Sequence, residues 1–102
     1  MVYYGLASKA GKLAFGADSV KELILNNKVY LVIIAEDASG NTREKFLHLT
    51  TENNIKLIAY GSIEENSKAI GKKNKAIIAI KDKNFSDAIA KIIDGGGTIG
   101  EN

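Results

Sequence analysis

The sequence predicts an α/β protein: a three-layer α/β/α sandwich around a small, largely parallel (mixed) four-stranded sheet. Three observations predict it. The runs "VYLVIIA", "IKLIAY" and "KAIIAI" have strand length, and the first and last show the continuous apolar pattern of strands covered on both faces. The segments between them repeat apolar residues at helical spacing. Strands that alternate with helices in this way need crossover connections, which lay the helices over the faces of the sheet.

The elements follow in order. Leu6, Ala10 and Leu13 keep helical spacing, with Gly11 near the end of that segment, and "AFG" could pair as a small strand. Val20, Leu23 and Ile24 form the next helical stripe, which stops near Asn26-Asn27. After the strand "VYLVIIA", a long amphipathic helix carries Thr42, Phe46, Leu49 and Asn53 on one side. The strand "IKLIAY" leads to Ser62-x-x-Glu65, a capping box that opens a helix ending near Gly71. Following "KAIIAI", Asn84 with Asp87 can cap a last helix with the stripe Phe85, Ala88, Ile89, Ile92 and Ile93. Residues 1–94 read as one domain and 95–102, "GGGTIGEN", as a tail expected to fray.

Composition narrows the function classes. A chain of 102 residues suffices for one modest core. No apolar run approaches the ~20 residues that cross a bilayer. In "MVYYGLASKAGKL" the lysines follow the apolar residues, the reverse of a secretory signal. There is no cysteine, and the one histidine, His48, cannot build a metal site without carboxylates. The expectation is a cytoplasmic protein with no membrane partner, no metal and no cofactor.

The net charge of +2 hides a strong polarity. Segments 1–17 and 66–81 hold Lys9, Lys12, Lys68, Lys72, Lys73, Lys75 and Lys81 and no acid. The remainder has seven basic residues against twelve acidic ones, a net of −5. Such a division is an electrostatic footprint if the fold joins the two segments, and a solvated loop if it does not.

Chemistry is best sought where parallel strands end. There Glu36 and Asp37 could be a catalytic pair or a phosphoacceptor site. Receiver-like order fails, because the acidic strand should come first and a basic partner should follow a later strand. The alternative is that Asp37 braces the turn while Ser39 or Asn41 caps the next helix, whose first N–H groups need acceptors. "GKKNK" lacks the second glycine and the hydroxyl of a phosphate loop. His48 lies between leucines mid-helix, and Tyr3 and Tyr4 suit a core edge as well as base stacking. In "AFGADSVKELI", Gly16 permits close backbone approach and opens a helix whose N–H groups can bind phosphate or carbonyl oxygen.

Taken in order, "FGADSVKELI", "LVIIAEDAS", "IKLIAYGS" and "SKAIGKKNKAIIAI" resemble the kink-turn RNA-binding ribosomal protein family, the L-seven-Ae and L-thirty-e group. "GLASKAGKL" and "EDASGNT" are similar to its bacterial, YlxQ-like branch. The similarity runs from about Tyr4 to Ile93, and the pairing of "IAEDAS" with "KAIGK" is its most specific part. The resemblance implies a sandwich that binds sharply bent RNA through one edge, acting as a monomer and without catalysis. It places Gly16, Ala17, Asp18 and Ser19 beside the bases, and Gly71, Lys72, Lys73, Asn74 and Lys75 around a flipped-out nucleotide. Ser39 and Gly40 line the same pocket, while Lys12, Lys21 and Lys68 are the further candidate contacts. Where the family has Asn, Glu and Lys, this chain has Asp18, Ser19 and Glu22. Asp18 accepts but cannot donate as Asn does. The expected function is therefore a structured-RNA-binding protein, ribosome-associated; the alternative is a protein-interaction or general RNA-binding module of the same fold. A free-standing enzyme has no coherent nucleophile, base and orienter here.

Overall fold

Strands β2 (Leu31–Ile34) and β4 (Ile77–Ile80) are buried at every position, as runs with no polar side require. They belong to a computed structural model that describes residues 7–94. Tyr3, Tyr4, Leu6 and the 95–102 tail lie outside the described residues. β2 and β4 pair antiparallel, with Leu31 opposite Ile80 and Ile34 opposite Ile77. Strand β3 (Lys56–Ala59) joins β2 in parallel, and β1 (Leu13–Phe15) joins β4 antiparallel, giving the order β1-β4-β2-β3.

The sheet is four-stranded and mixed, but parallel pairing is confined to β2–β3, so "largely parallel" is corrected. The cause is a short helix. Helix α3 (Ile63–Ala69) has seven residues and spans only about 10 Å. The loop after it leads the chain back to the edge where β3 ended, so β4 runs against both neighbours.

Side-chain alternation then sorts the core into two halves. Val32, Ile34, Ile77 and Ala79 meet Val20 and Ile24 of helix α1 (Ala17–Leu25) and Phe46 and Leu49 of helix α2 (Gly40–Glu52). Leu31, Ile33, Ile78 and Ile80 meet Ala7, Ile70 and Ile89 of helix α4 (Lys83–Asp94) on the other face. Phe46 is fully buried in the first half, so its truncation to Ala is expected to cost about 3–5 kcal/mol. Two helical layers and a sheet between them make the three-layer sandwich.

Two local readings change. Residues 7–9 are helical, but the chain turns at Gly11, which has φ +70°, and Leu13 opens β1 instead of continuing the helix. Lys12 N donates to Ala7 O at 2.9 Å, closing that turn. Ala10 of the expected stripe is exposed, and it is Ala7 that shares a core half with Leu13, so the helical spacing of Ala10 and Leu13 is coincidental. At the last helix, Asp82 Oδ2 accepts from Phe85 N at 2.9 Å, so Asp82 caps α4, and Asn84 and Asp87 lie inside it. The Ser62–Glu65 capping box is present in full. Among the described residues, no helix is long and apolar enough to cross a membrane.

Candidate functional site

One edge of the sheet gathers four turns. β1, β2 and β3 end there and β4 begins there. Backbone bonds tie the turns together: Gly16 N to Ile77 O (3.3 Å), Ala35 N to Ala76 O (2.9 Å) and Glu36 N to Gly61 O (2.7 Å). Three helices also start at this edge: α1 and α2 on one face and α3 on the other.

The starts of α2 and α3 are satisfied by side chains. Ser39 Oγ accepts from Thr42 N at 3.2 Å, so Ser39 and not Asn41 caps α2. Ser62 Oγ accepts from Glu65 N at 3.0 Å, and the Glu65 carboxylate accepts from Ser62 N at 3.2 Å. Asp37 Oδ1 accepts from Ile63 N at 2.8 Å, across 26 residues of sequence. Asp37 therefore braces α3, a helix start that sequence proximity could not reveal.

The start of α1 differs. Gly16 has φ +89° and ψ 147°, a region that only glycine occupies readily, and among the described residues no side chain caps the helix. A Cβ built on Gly16 would meet nothing within 4 Å, so the space beside it is open. Asp18 and Ser19 are exposed on the first turn, while Ala17 is half-buried against the core. Lys21 and Glu22 are exposed one turn further along.

On the same edge of the sheet, toward the α3 face, lies a cleft of about 450 Å³ between α3 and the 71–76 loop. Lys68 on α3 and Lys72, Lys73 and Asn74 on the loop line it, with Asp37, Ile63, Glu64 and Ser67 completing the wall. Buried Ser67 fixes the loop: its Oγ accepts from Lys75 N at 2.8 Å and its carbonyl accepts from Lys72 N at the same distance. Asn74 sits at φ +56°, a left-handed conformation that Asn tolerates better than most residues. Lys72 Nζ lies 5.8 Å from the centre of the Phe15 ring, within cation–π range, which links the loop to the residue preceding Gly16.

The two acid-free segments thus meet, through β1 and β4 and through Lys72. The meeting is incomplete. Lys81 N donates to Lys12 O at 2.8 Å at the far end of the β1–β4 ladder, so Lys12 and Lys81 are a strand length from Gly16. Ser39 and Gly40 stand at the right edge, in the turn that follows Asp37. Lys75 is half-buried, with its backbone bound to Ser67. Sequence reasoning missed Ser67 as a scaffold and Arg43 altogether; an Arg43 Nη donates to Glu36 O at 2.6 Å. It also gave no role to Asn66, which is 1% exposed and donates through Nδ2 to Tyr60 O at 2.8 Å, holding the end of β3. Of the two readings of Asp37, the structure bears out the bracing one, since its carboxylate is engaged with a backbone amide.

Comparison with known proteins gives consistent matches. The model of the "Ribosomal protein L7Ae/L30e/S12e/Gadd45 family" matches residues 3–90. The chain is 32% identical over 93 residues to the "RNA-binding protein YlxQ" of Bacillus subtilis (strain 168), covering 88% of this chain and 90% of that one. A protein of the same name from Enterococcus faecium is 33% identical over 91 residues, covering 89% of this chain and 87% of that one. A solved structure described as a protein with unknown function from Bacillus halodurans C superposes with a TM-score of 0.87 at 34% identity. It covers 90% of this chain and 93% of its own.

Proposed function

The chain belongs to the ribosomal protein L7Ae/L30e/S12e/Gadd45 family, and on that premise we propose that it is a small non-catalytic protein that binds structured, kink-turn-like RNA in association with the ribosome. The names of its Bacillus subtilis and Enterococcus faecium relatives support the RNA-binding part of this reading. The observation that carries it is the uncapped start of α1 on the same sheet edge as a lysine-lined cleft, joined to it through Lys72 and Phe15, where the other two helix starts are capped.

The chemistry follows from the groups available. The first N–H groups of α1 form a donor cluster backed by the helix dipole, suited to a phosphate or a base carbonyl. Asp18 accepts from a guanine amino group, and Ser19 can donate or accept. Lys68, Lys72 and Lys73 neutralise phosphates, and each such contact adds about one unit to the salt slope of binding. The cleft beside them receives a nucleotide turned out of the stack. Lys12 lies too far along the ladder for that grip and would touch a separate stretch of RNA backbone. The protein acts as a monomer in this reading.

A second reading is favoured by one set of residues. Asp18, Ser19 and Glu22 replace the family's Asn, Glu and Lys, which suits a general RNA-binding or protein-interaction module of the same fold. Titration against a kink-turn RNA and a matched straight duplex at several salt concentrations separates the two. The proposal expects preference for the kinked RNA that persists at physiological salt. Equal, steeply salt-dependent binding to both RNAs would favour a general electrostatic module, and no binding to either would point to a protein partner.

A further inference from the structure

We infer that Arg43 is a phosphate-binding residue of the same interface, oriented for that task by the carbonyl of Glu36; the inference rests on the RNA-binding reading above. The chain has thirteen lysines and a single arginine. That arginine is the fourth residue of α2, in a first turn that contains no acidic residue. A cation opposes the helix dipole there, so helix stability does not account for its position.

Its geometry is that of a poised group. The Arg43 side chain donates from an Nη to Glu36 O at 2.6 Å, while the residue is exposed. No carboxylate pairs with it among the described residues. A guanidinium has five donors in a rigid plane, so four remain once the Glu36 bond has fixed that plane. A fixed fork of this kind matches two oxygens of one phosphate, which an ammonium cannot do.

The location joins it to the cleft. Glu36 and Asp37 lead from β2 into the 35–40 turn. Arg43 is held on the α2 side of that turn, and Lys68, Lys72 and Lys73 line the cleft with Asp37 on the α3 side. Cations thus flank the turn from both faces of the sheet, and RNA lying across the edge places phosphates against each set. The fixed guanidinium then selects backbone geometry, whereas the lysines supply charge with little directionality.

The test compares the unsubstituted protein with R43Q and R43K against a kink-turn RNA over a range of salt, with thermal melts of each protein. Gln keeps an amide donor on a shorter stem, so the melts of R43Q report whether losing the reach to Glu36 O unsettles the fold. The inference expects R43Q to bind roughly tenfold more weakly, with a salt slope smaller by about one unit and an unchanged melting temperature. R43K is expected to recover the slope but not the full affinity. Unchanged affinity and slope in R43Q would overturn the assignment while leaving the RNA-binding reading intact. Loss of affinity only in step with loss of melting temperature would also overturn it. Failure of the unsubstituted protein to bind any RNA would overturn the reading and this inference together.

Discussion

Helices α1 and α3 begin on the same sheet edge and are built in opposite ways. The start of α3 is closed: Ser62, Glu65 and Asp37 all hydrogen-bond its end, and Gly61 before it packs against Asn66. At α1, Gly16 turns the chain at φ +89°, no described side chain caps the helix, and the space beside the glycine is open. Both glycines have positive φ, yet only the one at α3 is hemmed in by a buried side chain. At one start the fold consumes its polar groups internally; at the other no side chain among the described residues takes them up. Of the two carboxylates that could be a catalytic pair, Asp37 belongs to the closed start. Gly16, singled out in the sequence for its permissive backbone, belongs to the open one.

The sharpest way to break this contrast is at the two glycines. Gly61→Ala combines backbone strain with overlap of the new Cβ on Asn66 Oδ1. A destabilisation of about 3 kcal/mol or more is expected, lowering the melting temperature by at least about 10 °C. Gly16→Ala meets no neighbour and is expected to cost only about 1–2 kcal/mol. RNA affinity should reverse the order, with Gly16→Ala binding worse than folded Gly61→Ala. Thermal melts and titrations on both variants check this, and equal melting losses would remove the distinction.

Next in size is the lysine loop. Lys72→Ala with Lys73→Ala is expected to lower the salt slope by about two units and weaken binding by more than tenfold at physiological salt. Lys28→Ala, in the turn before β2 at the opposite edge, should leave both unchanged. Equal losses from the two sets would show that the footprint is elsewhere. Smaller again is Ser62→Ala, which removes half of the capping box and should cost about 1 kcal/mol in a denaturant melt. RNA affinity should hold, since that cap serves the fold. The smallest effect is a gain: Glu22→Lys replaces an exposed acid on α1 with a phosphate partner, and a few-fold tighter complex is expected. No gain in a titration would move this helix face away from the RNA.

Much of this architecture was legible because it depends on local pattern. The apolar runs of β2 and β4, the stripe of α1 and the Ser62–Glu65 box each carry their own signal over a few residues. The direction of β4 carried no such signal, since it follows from the length of a loop relative to the seven-residue helix before it. "KDKNFSD" offered three acidic or amide caps, and Asp82 was selected by where β4 stops. Among the candidate residues, charge without acids singled out the Lys72–Lys75 loop. The same count could not tell that Lys12 lies a strand length from Gly16, beyond the first residue of a three-residue strand. Asp37's partner is 26 residues away, and Arg43 is camouflaged in "NTREK" as one more surface charge, so neither role could be read from neighbours in sequence.

In the proposed function, the open start of α1 and the lysine loop form one RNA face. Backbone amide chemical shifts, followed while kink-turn RNA is titrated in, test it most directly. The largest changes are expected at Ala17, Asp18 and Ser19 and at Lys72, Lys73 and Asn74, with Asn27, Lys28 and Tyr30 at the opposite edge unmoved. Changes centred on that opposite edge or on the outer face of α2, with Ala17–Ser19 silent, would contradict the account.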